Sequence, residues 1–115
     1  MDELVQALTA TGYSFAHFGW SKAPAGDYGV YAEDGANDLI AGDVHAERAI
    51  EGTVDYFTRA IDVTEEGAAA PESIPAKAVI ESALTAARAA WYLSSIQFEQ
   101  DTGYVHLEWV FQVMG

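Results

Sequence analysis

The sequence predicts an α+β fold, a single mostly antiparallel sheet with two helices packed on one face. Three observations carry this. Residues Ala90 to Met114 read as a closing β-hairpin, and Met1–Thr11 and Ser73–Ala89 have helical spacing. The segments between them read as strands separated by turn signals. Helices segregated to one face of such a sheet are a stable two-layer solution.

The hairpin is the most hydrophobic stretch. Gln100-Asp101-Thr102-Gly103 is its turn, with Asp suited to an early position and Gly to positive φ. On the second arm Val105, Leu107, Trp109, Phe111 and Val113 share one face, and Tyr104, His106, Glu108 and Gln112 the other. On the first arm Tyr92, Ile96 and Phe98 are expected on one face. Two registers satisfy this pattern, with Phe98 opposite either Val105 or Leu107.

The chain begins with a short helix, Met1 to Thr11. Asp2 and Glu3 occupy its first turn, where the helix dipole favours acids. Leu4, Val5 and Leu8 form its apolar stripe, and Gly12 ends it. Tyr13 to Trp20 reads as a strand with bulk on both faces, Ser21 to Asp27 as a loop, and Tyr28 to Glu33 as a second strand. Asp34 to Asp43 is turn-rich and brackets the apolar pair Leu39-Ile40. Its acids do not have EF-hand spacing, since no Glu closes the loop at the twelfth position, so a plain hairpin loop is the reading.

Val44 to Ile61 reads as one long strand from Ile50 onward, after an extended or mobile entry in which His45-Ala46-Glu47-Arg48-Ala49 has helical propensity. Ile50, Val54 and Tyr56 lie on one parity and Glu51, Thr53 and Asp55 on the other. Gly52 within this run signals a bulge or a close backbone approach. Asp62 to Ile74 reads as a linker with no core residues of its own. The second helix, Ser73 to Ala89, has Ser73 as its expected N-cap and Pro75 in the first turn. Val79, Ile80, Ala83, Leu84 and Ala87 are its core-facing side.

Residues 1–115 make one domain, enough for a single core. Cysteine is absent, which excludes disulfides and thiolate metal sites and fits a reducing compartment. No apolar run reaches membrane-spanning length. The acidic N-terminus is unlike a signal peptide, so a cytoplasmic protein is expected. The net charge is −13, and Lys22, Arg48, Arg59, Lys77 and Arg88 are scattered singly. Such a surface repels phosphate backbones and argues against a basic nucleic-acid groove.

No sequence motif announces an enzyme. The three histidines, His17, His45 and His106, lack zincin spacing, and no nucleophile elbow or phosphate-binding glycine loop occurs. Glu99 and His106 sit on adjacent arms of the hairpin and face each other in one register; a cross-strand polar pair is the ordinary reading of that. Glu108 shares the outer face with His106, whereas Asp55 and Glu51 are assigned a strand face of their own. No metal, cofactor or catalytic residue is assigned. The aromatic load, 12% of residues, is large for so small a core and has two readings: a core that is simply rich in aromatics, or surface aromatics that mark interfaces.

These elements resemble those of tail terminator, or tail-completion, proteins of tailed phages and prophages. The likeness rests on three places: the opening helix followed by the aromatic strand of Gly12 to Trp20; Tyr28 to Asp43 leading into Val54-Asp55-Tyr56-Phe57-Thr58; and the helix Ser73–Ala89 followed by strands carrying Phe98-Glu99 and His106-Leu107-Glu108-Trp109. It spans nearly the whole chain as a pattern of residue types. The order Ala41-Gly42-Asp43 departs from the Ala-Asp-Gly turn expected of relatives.

The resemblance implies a non-enzymatic virion assembly protein. It would form a homo-oligomeric ring, commonly a hexamer, that caps the tail tube and meets the head connector protein. It implies location in the host cytoplasm during assembly and then in the virion tail or neck, with an acidic lumen along which DNA slides. Trp20, Tyr31, Leu39, Ile40, Tyr104, His106 and Glu108 are the candidate interface residues. The loops Ser21–Asp27, Asp34–Asp43 and Asp62–Ser73 would contact neighbouring subunits. The alternatives are another head–tail joining protein (neck or head closure), or a small ligand-binding module or enzyme using the His106, Glu99 and Glu108 face. A nucleic-acid mimic would cluster its carboxylates on one face, whereas here they are spread along the chain.

Overall fold

A computed structural model describes residues 1–38, 48–59, 63–64, 67–68 and 74–114. Helices α1 (Asp2–Ala10) and α2 (Pro75–Ala86) are combined with strands β1 (Phe15–His17), β2 (Tyr28–Asp38), β3 (Arg48–Thr58), β6 (Ala90–Glu99) and β7 (Tyr104–Met114), while β4 (Val63–Thr64) and β5 (Gly67–Ala68) form a separate short ladder. The main sheet has five strands in the order β1-β2-β3-β7-β6. The fold is α+β and the sheet mostly antiparallel, as expected from the sequence. One pairing differs: β1 runs parallel to β2. The expected strand Tyr13–Trp20 shortens to Phe15–His17 because Phe18 and Gly19 both take positive φ, 65° and 151°, and turn the chain away.

The two long central strands hold the sheet together. β3 pairs with β7 from Ala49↔Met114 to Thr58↔Val105 without a register break. The odd-numbered face of β7 is the floor of the core, with Val105, Leu107, Trp109, Phe111 and Val113 all buried. Leu4 and Leu8 from α1, and Ile80, Ala83 and Leu84 from α2, close over it together with Val54 and Tyr56 of β3. Val79, assigned to the core side, is instead exposed, and Ala76 takes its place. Trp109 donates its indole N–H to Glu81 at 3.0 Å, and Glu81 also pairs with Lys77 at 3.1 Å, so the buried donor is satisfied.

The N-cap of α2 falls one residue later than the expected Ser73. Ile74 is the N-cap, without a side-chain bond, and Pro75 supplies the fixed φ of the first turn. Ile74 is itself buried in the core, so the segment before α2 does contribute a core residue. The helix ends at Ala86 rather than Ala89. Arg88 takes φ 61°, and the N–H groups of Arg88 and Ala89 return to the carbonyls of Thr85 and Leu84. That is a Schellman closure with arginine where glycine is usual.

The hairpin adopts the register with Phe98 opposite Val105. Its first arm contains a feature the sequence pattern hid. The register shifts between Leu93 and Ser95, so parity inverts along β6. Trp91 and Leu93 pair with Phe111 and Trp109 on the core side, whereas Tyr92 pairs with Val110 and lies on the outer face. Tyr92 therefore does not share a face with Ile96 and Phe98. A second shift lies in β2 between Glu33 and Gly35, opposite Gly52 and Glu51. Of the two readings of Gly52, the close approach is the one that holds: a Cβ there would lie 2.1 Å from the Ala32 carbonyl oxygen, while the bulge sits on the partner strand β2.

Candidate functional site

The face of the sheet turned away from the helices carries Asp55 and Phe57 of β3 and Tyr104, His106 and Glu108 of β7. The register places Asp55 directly opposite Glu108 and Phe57 directly opposite His106. Asp55 thus belongs to the same face as His106 and Glu108, not to a separate one. The sequence reading missed this group because neither strand's own period says that β3 and β7 are neighbours.

His106 is the centre of the cluster. Its ring stacks on Phe57 with centroids 4.2 Å apart. Nε2 is 2.7 Å from Asp55 Oδ1, and Nδ1 is 3.7 Å from Glu99 Oε1. Glu99 pairs across the ladder with Tyr104, so it reaches His106 diagonally. Ser94, at the β6 bulge, donates its hydroxyl to Glu108 at 2.6 Å. The hydrogen bond to Asp55 raises the His106 pKa above its ordinary value, partial burial opposes it, and the charges of Asp55, Glu99 and Glu108 add to the rise.

One end of this face is covered by the chain itself. Tyr104, expected at an interface, is 7% exposed. Its hydroxyl donates to the carbonyls of Gly26 at 2.9 Å and Ala25 at 3.3 Å, pinning the loop before β2. Arg59 lies 4.0 Å over the Tyr104 ring and donates to the Thr102 carbonyl from Nη2 at 2.8 Å. This knot spends an arginine, a tyrosine and two loops on intramolecular closure.

The other expected interface residues do not share one surface. Trp20 donates its indole N–H to the Gly29 carbonyl at 3.0 Å, which ties the loop to β2. Tyr31 faces the helix side, stacked on His17 at 4.9 Å. His17 in turn bonds Glu33, forming a second histidine–carboxylate pair on the opposite face from His106. Leu39 and Ile40 lie outside the described residues, as do residues 39–43 and most of the Asp62–Ser73 segment. The first half of the expected Asp34–Asp43 loop is not a loop: β2 continues past Glu33 to Asp38, paired with β3 down to Arg48, and the expected linker carries the short β4–β5 ladder.

Among the described residues, the large apolar side chains that remain exposed include Val79 on α2, Met114 at the end of β7 and Trp20, and three aromatics at the two outer strands of the sheet. Phe18, just past β1, is 66% exposed, and on β6 Tyr92 and Phe98 are 60% and 54% exposed. The parity switch places Tyr92 on the outer face and Phe98 on the helix face, so β6 presents aromatics on both sides. Sequence composition left surface aromatics as one of two readings, without saying which residues they were.

No helix among the described residues is long and apolar enough to cross a membrane. No protein-family model matches the chain, and a search of curated proteins returned no match.

Proposed function

We propose that this chain is a structural assembly subunit of a tailed phage or prophage, a tail terminator that forms a ring at the end of the tail tube and joins it to the head connector. It performs no catalysis, and its work is surface complementarity, carried out in the host cytoplasm and then in the virion. The single observation supporting this reading is the pair of aromatic margins at opposite ends of the strand order. β1 and β6 are the outermost strands of the sheet. Phe18 stands beside one and Tyr92 and Phe98 on the other. A ring needs two different, complementary surfaces on each subunit, because a head-to-tail contact repeated around an axis closes only that way. Phe18 holds its position with φ 65°, an uncommon conformation for a bulky residue. The resemblance in residue pattern supplies the identity of the ring, and the net charge of −13 suits a lumen that DNA crosses without adhering.

Light scattering over a range of protein and salt concentrations, with negative-stain imaging, tests the reading. High salt screens the repulsion between copies. Rings, six-membered above all, are expected at high salt or on addition of the cognate tail-tube protein. Tyr92→Asp and Phe98→Asp are expected to abolish them while leaving the circular dichroism spectrum unchanged. A chain that stays monomeric at every salt concentration and also in the presence of tail tubes refutes the proposal.

A further inference from the structure

We propose that Asp55, His106 and Glu108 form a binding site for a first-row divalent transition metal, of which Zn2+ is the best fit. One ligand atom from each of these residues can be chosen so that all three lie within 4.8 Å of one another. An imidazole with two carboxylates is a nitrogen–oxygen donor set suited to Zn2+ and its neighbours, whereas Mg2+ and Ca2+ select oxygen alone. Two carboxylates and a neutral imidazole balance the charge of one divalent ion, and a fourth position stays open to water.

The geometry around the donors points the same way. Like charges directly opposite on adjacent strands destabilise a sheet, yet Asp55 and Glu108 are so placed in its central ladder. All the charged groups acting on His106 are carboxylates, Asp55 from β3, Glu99 from β6 and Glu108 from β7. A bound cation removes that repulsion. The supporting contacts are those that orient ligands in built sites. Phe57 fixes the plane of the His106 ring, and the Ser94 hydroxyl holds Glu108. Metal–ligand bonds of about 2 Å bring tetrahedral donors to about 3.3 Å from one another. The metal replaces the proton now shared between His106 Nε2 and Asp55, and Glu108 swings inward. This site is independent of the ring reading, since it lies within one chain.

The test is isothermal titration of the EDTA-treated chain with Zn2+, repeated with Co2+ to read the coordination number from its visible absorption. One equivalent is expected to bind, and excess Mg2+ is expected not to displace it. His106→Gln, Asp55→Asn and Glu108→Gln should each weaken binding at least about tenfold, the loss produced even by residues that only support a ligand. His17→Gln and His45→Gln should leave it unchanged. A readout needing no variant keeps the proposal open to refutation if a substitution unfolds the chain: diethylpyrocarbonate modification of His106, followed by mass spectrometry, should be blocked by Zn2+. No saturable binding up to about 0.1 mM, displacement by Mg2+, loss of binding through His17 or His45, or modification of His106 unaffected by Zn2+ each overturns the assignment.

Discussion

Substituting Gly52 by alanine tests the central ladder on which both the core and the outer cluster depend. Gly52 sits in β3 between the bulged part of β2 and Phe111 of β7. A Cβ there would come within 2.1 Å of the Ala32 carbonyl oxygen and 2.7 Å of Phe111 Cζ. The first contact is with backbone, about 1 Å inside van der Waals distance, so β2 must shift. The second is with a ring that is 1% exposed and has little room to turn. Overpacking of this kind costs about 1–3 kcal/mol, and a backbone clash belongs at the upper end. Alanine returns about 0.4–1 kcal/mol by restricting the unfolded chain. The net loss is about 2 kcal/mol, which for a domain of this size lowers Tm by about 8 °C. Differential scanning calorimetry and urea unfolding read it directly. Gly26→Ala is the control, because nothing lies within 4 Å of a Cβ there. It should be neutral or slightly stabilising. A Gly52→Ala protein melting within about 2 °C of the parent refutes the close approach and, with it, the bulged register of β2 against β3.

Three further outcomes are expected. Trp109→Phe removes the indole N–H that Glu81 accepts and leaves a small void beneath α2. It should cost about 2–4 kcal/mol in urea unfolding, whereas a loss under about 0.5 kcal/mol would remove that bond from the account. Tyr104→Phe deletes the donor to Ala25 and Gly26. A loss of about 1 kcal/mol is expected, with hydrogen exchange accelerated in the segment before β2 and unchanged in β3. In EDTA, His106 should make stability depend on pH. Its folded pKa is raised above the ordinary 6.5, so its contribution is complete below that value and disappears as pH rises through the folded pKa. The stability difference between the parent and His106→Gln should therefore be larger at pH 5.5 than at pH 8.5, and the opposite trend would sink the assignment of His106 to a carboxylate-lined face.

Much of the fold was legible because the relevant signals are local. The alternation along β7 identified which residues lie on each of its two faces, since a strand's period of two is set by its own backbone. Leu4 and Leu8 declared the buried side of α1 by their spacing, and Ile80, Ala83 and Leu84 that of α2. Gly12 and Gly103 marked a helix end and a turn, and both have positive φ. The failures fall where one strand's geometry depends on another. Nothing in Trp91-Tyr92-Leu93-Ser94-Ser95 announces the inserted residue that moves Tyr92 to the outer face. Nothing in Tyr13 to Trp20 says that three of these residues pair in parallel while Phe18 is turned outward. Tyr104 read as a surface residue because its outer parity is correct; that a loop some eighty residues earlier folds over it is a tertiary fact.

The sequence by itself determined the two helices and the long strands, the face of β7 that builds the core, the net acidity and the abundance of aromatics. Each of these follows from composition or from a repeat shorter than one element. Only the tertiary structure decided that β3 lies against β7, and so that Asp55 meets His106 across a separation of 51 residues. It also decided that Tyr92 and Phe98 stand on opposite faces of one edge, while Tyr104 is closed in by its own chain. The physical reason is that backbone periodicity tells each strand which side of the sheet a residue occupies but carries no information about its neighbour. Neighbours are chosen by the joint burial of side chains far apart in sequence, and the outer cluster is a consequence of how the core on the other face is filled.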